Sequence, residues 1–183
     1  MPKLEVWMPI KPLIVNQAFG IYNPAYVPLG FSHHNGVDMA CYDGEPAYAM
    51  MDAVVIETGE NESAGKFVKL RTHERIEAEG RTEYVCLMYM HGKQILVHKG
   101  MSVKAGDTLM LCDNTGFSTG HHLHVSAFFC SENGVKKRIG NRETAYCFDF
   151  MPYWNRYYAV DAQKVLSMYH KLIALLQLWL SKR

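Results

Sequence analysis

Between Pro46 and Phe129 the chain is cut into short apolar runs by glycine turns. Ala47 to Thr58 contains Val54-Val55-Ile56 and stops at Gly59. Lys66 to Thr72 alternates apolar and polar side chains, and Glu83 to His91 carries Tyr84, Val85, Cys86, Leu87 and Tyr89. Ile95 to Val97 and Thr108 to Cys112 are shorter candidates flanking Lys99-Gly100 and Ala105-Gly106, and His122 to Phe129 is the last. β-branched and aromatic residues with period-two alternation suit a pleated, half-buried surface. Strands this short, at this spacing and with these turns, predict a mainly β fold with an antiparallel sheet core. Arg75 to Arg81 reads as a charged turn, and Asp113 to Gly120 as a polar loop.

The two ends differ from this middle. Residues 1–32 are rich in Pro, Gly, Asn and Tyr, and Asn23-Pro24 and Pro28-Leu29-Gly30 are turn signals, so an extended, loop-rich opening segment is expected. Ala159 to Leu180 lacks Gly and Pro, and Asp161 can cap a helix over about 161–181. Val165, Met168, Leu172, Leu175, Leu176 and Trp179 fall at helical spacing, and Leu166, Ile173 and Leu180 widen the apolar face. Packing on its own domain is the first use for such a face, and a homodimer contact through the helix is the second. Membrane-surface binding ranks last because the polar face is not strongly basic. The expected division is a domain at 1–150 and a C-terminal extension at 151–183. Phe148, Phe150, Tyr153, Trp154, Tyr157 and Tyr158 are expected to fill a satellite core beneath the helix rather than a glycan-binding surface.

Composition narrows the partners. Lys+Arg 19 against Asp+Glu 18 gives a net charge of +1, which argues against nucleic acid as a partner. Five cysteines, Cys41, Cys86, Cys112, Cys130 and Cys147, are odd in number and widely spaced with no CxxC pair. The expectation is reduced, mostly buried thiols in a chain made in a reducing compartment. No basic start precedes an apolar run, so no signal peptide is expected. Leu172 to Leu180, interrupted by Gln177, is too short for a transmembrane helix.

Two histidine clusters carry the chemistry: His33-His34-Asn35-Gly36-Val37-Asp38 and Gly120-His121-His122-Leu123-His124. Imidazole nitrogen and carboxylate oxygen suit a borderline-soft divalent cation. On a strand His122 and His124 point to one face, and a turn across Gly36 lets His34 and Asp38 converge. Three protein donors with an open fourth position is the pattern of a catalytic zinc. His73-Glu74-Arg75-Ile76-Glu77 begins like the helical motif HExxH, but Glu77 stands where the second ligand should be. His121 is expected to be turned away and exposed, and His33, His73, His98 and His170 to lie outside the site.

In these residues the chain resembles the lysostaphin-like (LytM-type) zinc endopeptidases. That family carries an H-x-G-x-D motif, here His34-Asn35-Gly36-Val37-Asp38, and a later H-x-H motif, here His122-Leu123-His124. Pro46-Ala47-Tyr48-Ala49, Met90-His91-Gly92 and Lys99 to Asp107 resemble intervening segments in the same order, so the likeness runs from about residue 10 to 130. The loop from Asn114 to His124 resembles the family's, except that His121 stands where Pro is more usual.

The resemblance implies a lysostaphin-like peptidase domain holding one Zn2+ ion on His34, Asp38 and His124. His91 and His122 would be the catalytic histidines, orienting or deprotonating water or stabilising the oxyanion. It implies hydrolysis of peptide bonds in bacterial peptidoglycan, in a stem peptide or a cross-bridge. Since no export signal is read, synthesis in the cytoplasm and delivery by lysis or in a virion are expected, as for a bacteriophage endolysin or virion-associated lysin. The alternative is a non-catalytic wall-binding or phage tail module that keeps the fold.

Overall fold

The computed structural model describes residues 2–138 and 142–155. The helix expected over 161–181, its dimer contact, Tyr157, Tyr158 and His170 lie outside the described residues. Among the described residues ten strands succeed one another: β1 (Val15–Gln17), β2 (Val37–Ala40), β3 (Pro46–Tyr48), β4 (Ala53–Asn61), β5 (Gly65–Arg71), β6 (Ile76–Ala78), β7 (Arg81–Ile95), β8 (Ser102–Val103), β9 (Thr108–Cys112) and β10 (His122–Cys130). Their pairings are antiparallel, and the sheet runs β1-β2-β10-β7-β5-β4-β8. β6 pairs with the start of β7, and β9, flanked by β3, pairs with its end.

Several local expectations change. The run from Ala47 to Thr58 is two strands, because Pro46–Tyr48 pairs with β9 whereas Ala53 onward pairs with β5 and β8. Met50 sits in the break, where its N–H donates to the buried Tyr89 hydroxyl at 2.9 Å. The runs at 83–91 and 95–97 largely merge into the 15-residue β7, which β6, β10, β5 and β9 hold along its length. The charged turn at 75–81 contains β6, because Ile76 and Ala78 point inward and close a hairpin on β7. The opening segment supplies β1, a 3-10 turn at Pro24–Leu29 capped by the Asn23 side chain, and the buried Leu4, Val6 and Ile10.

Period-two alternation sorts the central strands. Val37 and Met39 of β2, Val85, Leu87 and Tyr89 of β7, and Leu123, Val125 and Ala127 of β10 are fully buried in one core. Phe148 and Phe150 join that core, and Phe148 stacks on Phe129 with ring centroids 4.8 Å apart. Cys86, Phe128, Cys130 and Cys147 form a smaller cluster. The reduced-thiol expectation is corrected for one pair, since Cys86 and Cys130 form a disulfide. Cys86 lies opposite Phe128 and Cys130 opposite Tyr84, so the two side chains meet diagonally across β7 and β10. The 44-residue separation conceals that neighbourhood. Cys41, Cys112 and Cys147 are free thiols.

Candidate metal centre

β2 and β10 are adjacent, and their register sets Asp38 directly opposite His124 and Ala40 opposite His122. Both side chains of the His-x-His pair therefore leave β10 on the face away from Leu123 and Val125. Asp38 leaves β2 away from Val37 and Met39 and meets them. The convergence expected of a turn thus arises from paired strands, with His34 reaching in from just before β2.

His34 Nε2 lies 3.1 Å from Asp38 Oδ1 and 3.1 Å from His124 Nδ1, and His124 Nδ1 lies 2.8 Å from the same Asp38 oxygen. His34 and His124 are 1% and 6% exposed. The His34 Nδ1 donates to the Ala18 carbonyl at 2.9 Å, so in the neutral ring Nε2 is the nitrogen left to bind a cation. This is how proteins fix the tautomer of a ligating histidine. Burial alone would push the Asp38 carboxyl up, yet contacts with His124 and His34 hold it well below the usual carboxylate range. Burial pushes the His124 imidazole down, toward the neutral form. Two imidazole nitrogens and an ionised carboxylate oxygen thus converge on one point, an arrangement a cation relieves. The corners of a tetrahedral site with bonds of about 2 Å are about 3.3 Å apart, close to these separations. The donor set fits a divalent metal ion.

The other His124 nitrogen, Nε2, is buried without a hydrogen-bond partner. It presses on Gly36, where a Cβ would lie 2.5 Å from Nε2 and 2.4 Å from the Val125 carbonyl oxygen. The glycine of the first motif is there because the second motif's histidine occupies its side-chain space.

Two further imidazoles border the same cleft of about 240 Å³. His91 and His122 have ring centroids 4.7 Å apart, and His91 lies 6.0 Å from the His124 ring. His91 Nδ1 donates to the Thr115 carbonyl at 2.7 Å, and His122 Nδ1 lies 2.8 Å from the Gly120 carbonyl. Because a carbonyl only accepts, both rings carry hydrogen on Nδ1, and in a neutral ring Nε2 is then the accepting nitrogen. His122 Nε2 is 3.5 Å from Asp38 Oδ1. Burial pushes the His91 imidazole down to about 4. His121 turns away, its side chain 48% exposed and paired with Asp113. His33 sits beside Ser32 and Glu143, and His73 and His98 are exposed.

The structure brings His34, Asp38, His91, His122 and His124 to one place. It adds residues that sequence reasoning passed over. Tyr26 stacks over His34 at 5.9 Å with Phe31 behind it, and Phe117 and Met90 also line the cleft. Gly36 was visible as a motif position. Tyr26 and Phe31 carried no signal, because nothing local marks a ring that stacks on a neighbour from a separate turn. A larger open recess near Trp154 and Glu79 is lined by no histidine among the described residues.

Comparisons with known proteins place the chain among peptidases. Over 91 residues the chain is 38% identical to the peptidoglycan DD-endopeptidase ShyA of Vibrio cholerae, an alignment covering 50% of this chain and 19% of that protein. A zinc-containing peptidase from Vibrio cholerae superposes with a TM-score of 0.57 at 26% identity, covering 71% of this chain and 37% of that one. The catalytic domain of lysostaphin from Staphylococcus simulans superposes with a TM-score of 0.59 at 24% identity, covering 77% of this chain and 91% of that domain, and shares the fold. The chain spans between 18% and 27% of the length of the first curated relatives it matches. The family model described as peptidase family M23 matches residues 32–136, which include all five converging side chains. With more than half its length matched, the chain belongs to peptidase family M23.

Proposed function

We propose that the chain is a zinc-dependent endopeptidase that hydrolyses peptide bonds of bacterial peptidoglycan. The observation that carries this reading is the meeting of a His-Asp-His donor set with two further imidazoles, accepting at Nε2 when neutral, in one cleft. His34 through Nε2, Asp38 through its carboxylate and His124 through Nδ1 would hold the ion. When bound, zinc supplies Lewis acidity toward water and toward a peptide carbonyl. His91 and His122 do the proton work. Each has Nδ1–H tied to a backbone carbonyl, so each offers Nε2 to take a proton from attacking water and return it to the departing amine. The scissile C–N bond breaks, the water oxygen joins the carbonyl carbon, and the amine leaves protonated. Burial keeps the His91 ring neutral near pH 7, the form a base requires.

The peptidoglycan substrate follows the naming of ShyA, and cleavage within a peptide follows also the naming of the glycyl-glycine endopeptidase ALE-1 from Staphylococcus capitis, 30% identical over 104 residues. The Cys86–Cys130 disulfide suits work outside a reducing compartment. A lytic role of the bacteriophage kind, reaching the wall by lysis or in a virion, is our reading of delivery. Genomic neighbours devoted to cell division would overturn it. Purified cell walls should lose turbidity with the protein and not after chelation. His34→Ala and His122→Ala should each lose the activity, and mass spectrometry of the products should show cut stem or bridge peptides. Intact stem peptides freed from the sugar would instead identify an amidohydrolase. A metal-loaded protein that binds walls without releasing peptides would be a binding module.

A further inference from the structure

Alternation along β7 sends Val85, Leu87 and Tyr89 into the core, and the same parity would send His91 there too. Yet His91 borders the cleft together with its neighbour Met90. The backbone explains the difference. His91 has φ +66°, the left-handed region that residues other than glycine seldom enter, and the pairing with β5 slips between Tyr89, opposite Val68, and Gly92, opposite Lys66, the stretch that holds His91. A bulge of this kind re-aims a side chain, and such strain persists only where the surroundings hold it.

Those surroundings converge on Thr115. Its carbonyl accepts the His91 Nδ1–H at 2.7 Å, while its Oγ1 donates to the Gly92 carbonyl at 2.8 Å and accepts the Lys66 N–H at 3.1 Å. The His91 N–H donates to the Ala64 carbonyl at 2.8 Å, which ties the same residue to the β4–β5 turn. The two loops interlock without side-chain space between them. A Cβ on Gly65 would lie 2.3 Å from Thr115 Oγ1, and one on Gly116 would lie 2.2 Å from the Gly65 nitrogen.

We propose that Thr115 is a positioning residue, whose hydroxyl clamps β5 and β7 so that its carbonyl holds His91 left-handed, Nδ1-protonated and aimed into the cleft. This rests on the reading of His91 as a proton carrier in the proposed reaction. The test compares Thr115→Val, which keeps shape and loses the hydroxyl, with Thr115→Ser, which keeps the hydroxyl. Nitrogen NMR of the His91 ring in the metal-free protein reads the tautomer, and steady-state kinetics on a peptide substrate read the consequence. In the wild type the ring should be a single Nδ1–H tautomer. Thr115→Val should mix the tautomers and lower kcat by about 10- to 100-fold with KM changed less than about twofold. Thr115→Ser should restore both readouts. An unchanged His91 tautomer in Thr115→Val, or a Ser variant as impaired as Val, overturns the proposal. Should Thr115→Val not fold, an Nε2–H tautomer in the wild type or a disturbed ring in Thr115→Ser overturns it equally. A fully active His91→Ala protein would sink the role of His91 itself, while the ring spectra would still decide whether the clamp exists.

Discussion

Gly36 is the residue of the centre with the least room to change. Its contacts are with His124 Nε2 and the Val125 carbonyl, and backbone cannot step aside as a flexible side chain can. Gly36→Ala should destabilise the fold by about 1–3 kcal/mol and weaken metal binding by about 10- to 100-fold. A thermal melt and a zinc titration against a competing chelator would check this, and wild-type affinity would refute it. His91 makes the metal-free protein acid-sensitive. Its imidazole takes a proton near pH 4 when folded, against an ordinary value of 6.5, because burial disfavours the charged form. Between those values the unfolded chain binds more protons, so this contribution is complete above about pH 6.5 and is lost as pH falls toward 4. At most about 3 kcal/mol is involved. His122, His124 and Asp38 are the charged or chargeable groups that face it. Urea midpoints of the metal-free protein from pH 8 to 4 should fall across that window, and a flat profile would contradict the burial argument.

At the scale of elements, β7 and β10 matter most, since between them they carry His91, His122 and His124. The Cys86–Cys130 disulfide staples them near the end remote from the cleft. Closing a 44-residue loop restricts the unfolded chain, an effect worth up to about 4 kcal/mol in the chain-entropy treatment. The Cys86→Ala/Cys130→Ala protein should therefore unfold at lower denaturant by about 2–4 kcal/mol. It should keep its metal affinity within a few-fold, because the β2–β10 register that aligns Asp38 with His124 does not depend on the bond. Denaturation curves and metal titration on the same variant would separate the two effects. A stability equal to wild type would show that the link adds nothing to the pairing.

At the scale of the whole molecule, the segment after β10 supports the site. The Glu143 carbonyl accepts from both Ser32 N–H, at 3.0 Å, and His33 N–H, at 2.9 Å, which pins the chain immediately before His34. Phe150 is fully buried in the main core, and the Val6 N–H donates to the Tyr153 carbonyl. The aromatic residues read as a satellite core are thus, where described, part of the principal one. Phe150→Ala should cost about 3–5 kcal/mol, a large share of a typical domain's stability. The variant fraction that stays folded should still bind metal. Differential scanning calorimetry with a metal titration would test this, and a loss below 1 kcal/mol would mean the core closes without that ring.

Some of this is legible in the amino-acid sequence alone. Alternation in Glu83–His91 and His122–Phe129 assigned those runs to strands and set His122 and His124 on one face, because side-chain direction in a strand is a local, period-two property. The His-Gly-Asp spacing and the His-x-His pair marked metal chemistry for the same reason, since ligand types at short range need no long-range information. The rest depended on pairing. No local period states that Asp38 would lie opposite His124, 86 residues away, or that Cys86 and Cys130 would meet. Nor could alternation reveal that His91 breaks it. Its backbone is turned by contacts with Ala64 and Thr115, which come from other parts of the chain and exist only once the sheet has closed.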